Sequence, residues 1–244
     1  MSGHSKWHNI QVRKGKQDAK RAGAFTKLAR TITTAAREGG GDVSMNFKLR
    51  IAVDKAKLAS MPKDNIERAI KKGTGAGGGQ ALSPVSYEGK GPGNIDIIVD
   101  CLTDNKNRTA SEIKHIFTKN GGALGAPGSV AWNFEQRGFI QIATNLIPES
   151  IKIQEEKIFE IMDIGGVEDV EENDGMIDIY TKPKELAAVG KELESKGFKL
   201  EKMELVMDPK NVINLSDEDS EKAVRILELL DDYDDTENVW TNLE

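Results

Sequence analysis

The chain has 244 residues, of which 38% are hydrophobic and 30% charged, a composition typical of a soluble globular protein. No apolar run approaches the ~18 residues that a membrane span needs, and residues 1–7 lack the apolar core of a secretory signal. The single cysteine, Cys101, has no partner for an internal disulfide, and its place in a predicted strand indicates a small buried apolar residue. The composition therefore predicts a cytoplasmic protein of one or two domains, or of more if they are small.

The formal net charge of −6 conceals a strong asymmetry along the chain. Residues 1–80 carry 17 Lys+Arg and 6 Asp+Glu, a balance of +11, and residues 81–140 carry 6 of each. Residues 141–244 carry 11 basic and 28 acidic residues, a balance of −17. A basic head on an acidic body is typical of a protein whose first segment contacts nucleic acid; the alternative is that these charges only solvate a surface.

The basic head predicts three short helices after an arm at residues 1–15, which lacks periodicity and is expected to be flexible. The first helix is predicted from Lys16 to Glu38 and the second from Asn46, a suitable N-cap, to Ala59. The third is predicted from Pro62 to Lys72. Each helix has one apolar face, so we expect a helical bundle that, with a glycine-rich linker, occupies residues 16–79.

Beyond the linker, two separated segments each predict a strand, a helix and a strand. The first has them at Ile95–Leu102, Arg108–Asn120 and Ser129–Phe134, and the second at Asn211–Leu215, Asp217–Leu230 and Glu237–Leu243. Either segment alone would bury too little apolar surface for a stable domain. We therefore expect residues 80–136 and 207–244 to form one discontinuous α+β domain.

The segment between them, residues 137–206, predicts the order β-α-β-β-α-β of ferredoxin-like domains. Its elements are expected at Gly138–Ala143, Glu149–Ile164, Val167–Glu171, Met176–Thr181, Lys184–Lys196 and Phe198–Val206. The predicted fold class is therefore multidomain, α and α+β. It comprises an N-terminal three-helix bundle, a central α+β domain and an inserted ferredoxin-like βαββαβ domain.

Basic residues of the head are the candidate phosphate contacts, because Lys and Arg neutralise phosphate charge. On the first helix, Lys16, Lys20, Lys27 and Arg30 fall within about 40° of one line, so a basic face is expected there. The opposite, apolar side holds Phe25, Leu28, Ile32, Ala35 and Ala36. Trp7 could stack on a base or pack on the bundle. The full candidate set is Lys6, Trp7, Arg13, Lys14, Lys16, Lys20, Arg21, Lys27, Arg30, Lys63, Arg68, Lys71, Lys72 and Arg108.

Other motifs are weaker indications of a functional site. Between a strand and a helix, Asp104 and Asn105 could cap the helix, or Arg108 could touch phosphate. The three histidines have no cysteine pair beside them, so no zinc site is predicted, and residues 120–129 lack the ending of a phosphate-binding P-loop. Cys101 has no base partner nearby in sequence. We therefore predict no cofactor and no enzyme activity; the alternative is a nucleic-acid-processing enzyme such as a nuclease.

Eight motifs are spread over essentially the whole chain: GHSKWHNI, RKGKQDAKR, FTKLAR, MPKDNIERAIKKGTG, YEGKGPG, LTDNKNRT, GGALGAPGSV and DDYDD. Together they resemble the YebC/PmpR family. The resemblance implies a helical bundle, a central α+β domain and a ferredoxin-like insertion. It also implies a regulator of gene expression, acting either on DNA in transcription or with the ribosome in translation. Family members of the second kind, including mitochondrial relatives that activate cytochrome oxidase synthesis, look like factors that relieve stalling at proline-rich stretches.

The expected partners are therefore DNA or ribosomal RNA, with the ribosome as a candidate, no membrane, and a monomer or weak oligomer. No helix-turn-helix pair with an obvious dimer interface is visible in the sequence, so reading of a specific operator is not predicted. A basic head on an acidic body instead suits an RNA-rich partner.

Overall fold

The computed structural model describes residues 18–75, 82–143, 154–173 and 175–244. These ranges form a mixed α/β chain with helices and two four-stranded antiparallel sheets. In chain order the elements are α1 (Asp18–Gly39), α2 (Phe47–Leu58), α3 (Lys63–Thr74), β1 (Ser83–Lys90), β2 (Asp96–Thr103), α4 (Lys106–Lys119), β3 (Ala123–Leu124), β4 (Phe134–Ala143), α5 (Gln154–Met162), β5 (Val167–Asn173), β6 (Met176–Thr181), α6 (Leu186–Ser195), β7 (Leu200–Pro209), α7 (Asp217–Asp231) and β8 (Thr236–Thr241).

The chain divides into two compact units. The first unit takes the described residues within 1–30, 77–135 and 207–244, and the second those within 31–76 and 136–206. The domain boundaries expected from the sequence stay a prediction.

The sheet of the first unit has the strand order β3-β1-β2-β8. Strands β1 and β2 pair from Ser83 opposite Thr103 to Lys90 opposite Asp96. Alternate residues of β2 face helices α4 and α7 and form an apolar core with them. Its buried members are Ile95, Ile97, Val99, Cys101, Ile113, Phe117, Ala223, Ile226, Leu227, Leu230, Val239 and Leu243. Cys101 therefore sits where a small apolar residue was expected.

The first unit differs from the sequence prediction in several details, among them three that concern longer segments. Strand β1 was not predicted, because its sequence SPVSYEGK has weak alternation and a proline near its start. The strand predicted at Ser129–Phe134 is wrong: a 3₁₀ turn occupies residues 131–133 and strand β4 begins only at Phe134. The strand predicted at Asn211–Leu215 is wrong too, because only Ile213 forms a bridge, parallel to Leu243.

The sheet of the second unit has the order β5-β6-β4-β7. The chain follows β-α-β-β-α-β through it, with β5 and β6 joined by a hairpin in which Gly175 has a φ of 78°. Residues at alternate positions of β4 and β6 bury one face of the sheet against α5 and α6. That core contains Ile140, Ile142, Ile161, Ile177, Ile179, Leu186, Val189 and Leu193.

Helices α2 and α3 also belong to the second unit, and two polar residues fix the way they meet α1. Asn46 caps α2, as predicted: its side chain accepts from Leu49 N at 3.1 Å and donates to Ala35 O at 2.8 Å. Thr33 donates its hydroxyl to Ala69 O at 3.1 Å. Because both side chains are buried, these hydrogen bonds position α2 and α3 against α1.

The apolar side of α1 is buried where prediction placed it, at Ile32, Ala35 and Ala36. Phe25 and Leu28 are only half-buried.

Candidate nucleic-acid interface

Helix α3 carries four of the candidate cations on its exposed side. Its buried residues are Ile66, Ala69 and Gly73. Ala69 O accepts from Thr33 of α1, and a Cβ built on Gly73 would lie 2.4 Å from Thr33 O. That close approach fixes the rotation of α3 about its axis. The cations that it turns outward are Lys63, Arg68, Lys71 and Lys72, all of them exposed.

These four cations differ in the partners that their side chains already have within the protein. Lys63 lies 3.7 Å from Glu67, and Arg68 donates to Asp64 O and to the Asn65 side chain. Within the described residues, Lys71 and Lys72 have no hydrogen-bond or ion-pair partner on their side chains. These two adjacent lysines in the last turn of α3 are therefore available to an anion from outside.

Two candidates on α1 do not face outward as the helical period predicted. Lys27 donates to Asp231 O at 2.8 Å, and Arg30 donates to Leu102 O at 2.5 Å and Asp234 O at 2.9 Å. Both side chains are half-buried. The expectation of an open basic face at these positions is wrong, because the acidic loop at residues 231–235 meets the same line of the helix. Their contact with nucleic acid stays a prediction.

Asp235 is the centre of this acidic loop. Its buried carboxylate accepts from Thr103 Oγ1 at 3.1 Å, from Thr109 Oγ1 at 2.8 Å, and from Arg108 and Arg30. Burial alone would raise the pKa of Asp235, but hydrogen bonds, led by the one from Arg108, outweigh it and lower the pKa to about 2. The carboxylate is therefore charged throughout the physiological range.

Arg108 is exposed, yet its guanidinium is engaged with the protein. It donates to Asp235 at 2.8 Å and to Asp104 at 2.9 Å, and the first of these hydrogen bonds raises its pKa. Asn105 caps α4 by accepting from Arg108 N at 3.1 Å. Of the two sequence alternatives for this turn, the structure shows the cap at Asn105, and a phosphate contact by Arg108 stays a prediction.

The remaining candidates cannot be placed as side chains. Lys6, Trp7, Arg13, Lys14 and Lys16 lie outside the described residues. Lys20 and Arg21 lie on the first turns of α1, where the structure describes the backbone alone.

One exposed aromatic residue was missed by sequence reasoning. Trp132 lies on the 3₁₀ turn after the glycine-rich stretch 120–129, and 61% of it is exposed. The sequence placed it in a strand, where an aromatic residue is normally half-buried. The sequence signal that could have indicated this exposure is a large aromatic residue directly after a glycine-rich turn.

The structure also bears on metal binding, thiol reactivity and membrane insertion. Among the described residues, no group of three or more His, Cys, Asp or Glu side chains is arranged to hold a metal ion. Burial raises the pKa of Cys101 to about 12, so its thiol stays protonated and is a poor nucleophile. No helix in the described ranges is long and apolar enough to cross a membrane.

Two family models match the chain. One, described as the TACO1/YebC protein N-terminal domain, matches residues 5–76, and the other, the TACO1/YebC second and third domain, matches residues 82–243.

Similar proteins cover the whole chain. A probable transcriptional regulatory protein of Persephonella marina is 49% identical over 246 aligned positions, which cover 100% of this chain and 96% of that protein. A protein of the same description from Enterococcus faecalis is 46% identical over 100% of this chain and 99% of its own. The crystal structure of a conserved hypothetical protein from Aquifex aeolicus has a TM-score of 0.84 and 39% identity, over 93% of this chain and 91% of that one.

Proposed function

Because this chain belongs to the TACO1/YebC family, we propose that it is a non-enzymatic regulator of gene expression that binds nucleic-acid phosphate through the exposed cations of α3. The observation that carries the proposal is the pair Lys71 and Lys72, which are exposed and without a partner among the described residues. The balance of +11 over residues 1–80 supports it, since long-range attraction by that head would draw a polyanion to the same end of the chain.

The chemistry of α3 favours recognition of the backbone over recognition of base sequence. Three of its four exposed cations are lysines, which act on phosphate as point charges. The one arginine already donates to Asp64 O and Asn65, so its fork is not free for the bidentate contact that reads guanine. Phosphate contacts position a protein without reading sequence.

We infer an RNA-rich partner such as the ribosome as the target, because backbone recognition suits a large structured RNA. The relatives' description as probable transcriptional regulatory proteins favours the second candidate, DNA bound in transcription.

The test is binding of the full-length protein to a structured RNA and to duplex DNA across a series of salt concentrations. The logarithm of affinity should fall linearly with the logarithm of salt concentration, by about 0.9 for each phosphate contact on duplex DNA. Replacing Lys71 and Lys72 by Ala should reduce that slope by roughly 2. The matched control replaces Lys114 and Lys119, exposed lysines of α4, and should leave the slope unchanged.

Two further measurements on the same full-length protein distinguish an RNA-rich target from a DNA target. For an RNA-rich partner, the protein should sediment with ribosomes, and a promoter fragment should compete no better than a scrambled duplex. A promoter preference of ~10³-fold or more would establish specific DNA binding instead. Affinity that does not respond to salt would refute phosphate binding altogether.

A further inference from the structure

Trp132 presents its ring to solvent although its polar atom is already satisfied. The indole is 61% exposed, and Nε1 donates to Ser129 O at 3.1 Å. An exposed tryptophan usually keeps its N–H for water or a partner. Here the internal hydrogen bond fixes the orientation of the side chain, and the face of the ring is the part that a ligand can contact.

The backbone on the amino side of Trp132 is held by Glu88. The two carboxylate oxygens of Glu88 accept from Gly128 N at 2.7 Å, Val130 N at 2.9 Å and Ala131 N at 2.8 Å. Burial opposes the charge of Glu88, but these three amide hydrogen bonds lower the pKa of its carboxyl group below the ordinary value. The turn that carries the indole is thus tied to strand β1.

The backbone on the carboxyl side is held by Asn133, which is buried. Its amide donates to Asp96 at 2.8 Å and its oxygen accepts from Asn211 N at 3.1 Å. The backbone is therefore held in place on both sides of Trp132. A side chain immobilised before binding loses little entropy when a ligand stacks on it.

A positive charge lies at the backbone oxygen of Trp132. Lys210 is exposed, its backbone N–H donates to Asn133 O at 2.7 Å, and its Nζ lies 3.4 Å from Trp132 O. An exposed aromatic residue with a lysine held at its backbone supplies the two contacts that proteins combine to bind single-stranded nucleic acid, a stacking surface for a base and a cation for its phosphate.

We propose that Trp132 and Lys210 form a stacking site for an unpaired base, with the base on the indole and the neighbouring phosphate on the lysine. The inference rests on the proposed function and adds to it a contact with bases. A protein partner fits less well, since protein interfaces have an apolar core of several residues. Among the described residues of the first unit, the other large hydrophobic residue that is exposed is Leu229, on α7.

The test uses full-length protein and two 12-nucleotide oligomers, one of deoxythymidine and one of the same length with abasic sugars. Both carry the same phosphates, so only the first can stack. Trp132→Ala should weaken binding of the first oligomer by about 5- to 150-fold and leave binding of the abasic oligomer unchanged. Trp132→Phe should retain most of the affinity. Met45→Ala, at another exposed apolar residue, is the control and should have no effect.

The outcomes separate this inference from the function on which it rests. Equal binding of the two oligomers by the unaltered protein, or equal losses on both in Trp132→Ala, would overturn the stacking site while leaving phosphate binding intact. Failure of the unaltered protein to bind any nucleic acid would overturn both. A Lys210→Ala change should weaken both oligomers and lower the salt dependence by about one contact.

Discussion

Arg30 and Asp235 are 205 residues apart in sequence, yet Arg30 Nη2 lies 3.2 Å from Asp235 Oδ1. The same guanidinium donates to the backbone oxygens of Leu102 and Asp234. One arginine of α1 thus bonds to the end of strand β2 and to two residues of the turn that precedes β8. The ion pair therefore has a structural role within the first unit that needs no ligand.

Loss of the Asp235 charge should destabilise the protein. Asp235→Asn keeps the shape but cannot accept from two guanidinium groups and from the hydroxyl groups of Thr103, Thr109 and Tyr233 at once. Holding the pKa near 2, against an ordinary value of 3.8, corresponds to about 2 kcal/mol of stability, and we expect a loss of that size in denaturant unfolding.

The control is its neighbour, Asp234→Asn. The Asp234 side chain is exposed and Arg30 uses only its backbone oxygen, so this change should cost less than about 0.5 kcal/mol. Equal losses in the two variants would show that the carboxylate network contributes little.

The same network predicts how stability responds to acid. The pKa of Asp235 is lowered on folding, so its contribution is complete above the unfolded value of 3.8 and disappears as the pH falls through about 2. Between about pH 4 and pH 2 the unaltered protein should lose roughly 2 kcal/mol more than Asp235→Asn does. Unfolding by denaturant at pH 5, 4, 3 and 2 measures the difference. Parallel curves for the two proteins would contradict the assignment.

Gly73 should be intolerant of a side chain despite its position in a helix. Alanine ordinarily favours a helix by about 1 kcal/mol over glycine. At this position, however, the new Cβ would lie 2.4 Å from Thr33 O and 2.7 Å from Ala36 Cβ, so α3 would have to move away from α1. We expect Gly73→Ala to cost about 1–3 kcal/mol in thermal unfolding. Gly165→Ala, where a Cβ would meet nothing within 4 Å, is the control and should be neutral.

The sequence predicts a feature of this structure correctly when the contacts that determine the feature are between residues close together in the chain. The cap at Asn46 follows from residues that are neighbours in the chain, and the sequence predicted it correctly. The buried environment of Cys101 follows from its place in an apolar run, and it was also predicted. The exposed side of α1 was not, because the groups that cover Lys27 and Arg30 come from about 200 residues away.

The candidate site shows the same division. The sequence named Lys71 and Lys72 as candidate cations, and the structure has both of them exposed on α3. Periodicity gave no indication that Trp132 is exposed, because Glu88 and Asn133 fix that turn through contacts that span many residues. Strand β1, whose pattern is weak, is determined mainly by its pairing with β2.

Charge reversal at Lys27 should therefore act on stability rather than on binding alone. Lys27 Nζ donates to Asp231 O at 2.8 Å, at the start of a loop that contains four aspartates between residues 231 and 235. Lys27→Glu would bring a fifth negative charge to that loop, while Lys27→Met would remove the cation and keep much of the stem. We expect Lys27→Glu to be less stable than Lys27→Met by about 1 kcal/mol at low salt, because the carboxylate adds repulsion to the lost hydrogen bond.

Salt separates repulsion from simple loss of packing. At 1 M salt the screening length falls to about 3 Å, so the difference between Lys27→Glu and Lys27→Met should shrink toward zero. Lys72→Glu, on the open side of α3, should match the unaltered protein in stability at every salt concentration while weakening nucleic-acid binding. Denaturant unfolding of the three variants at 0.05 M and 1 M salt makes the comparison. If Lys27→Glu were as stable as Lys72→Glu at low salt, the contact between α1 and the acidic loop would not exist in solution, and Lys27 would rejoin Lys71 and Lys72 as an open phosphate contact.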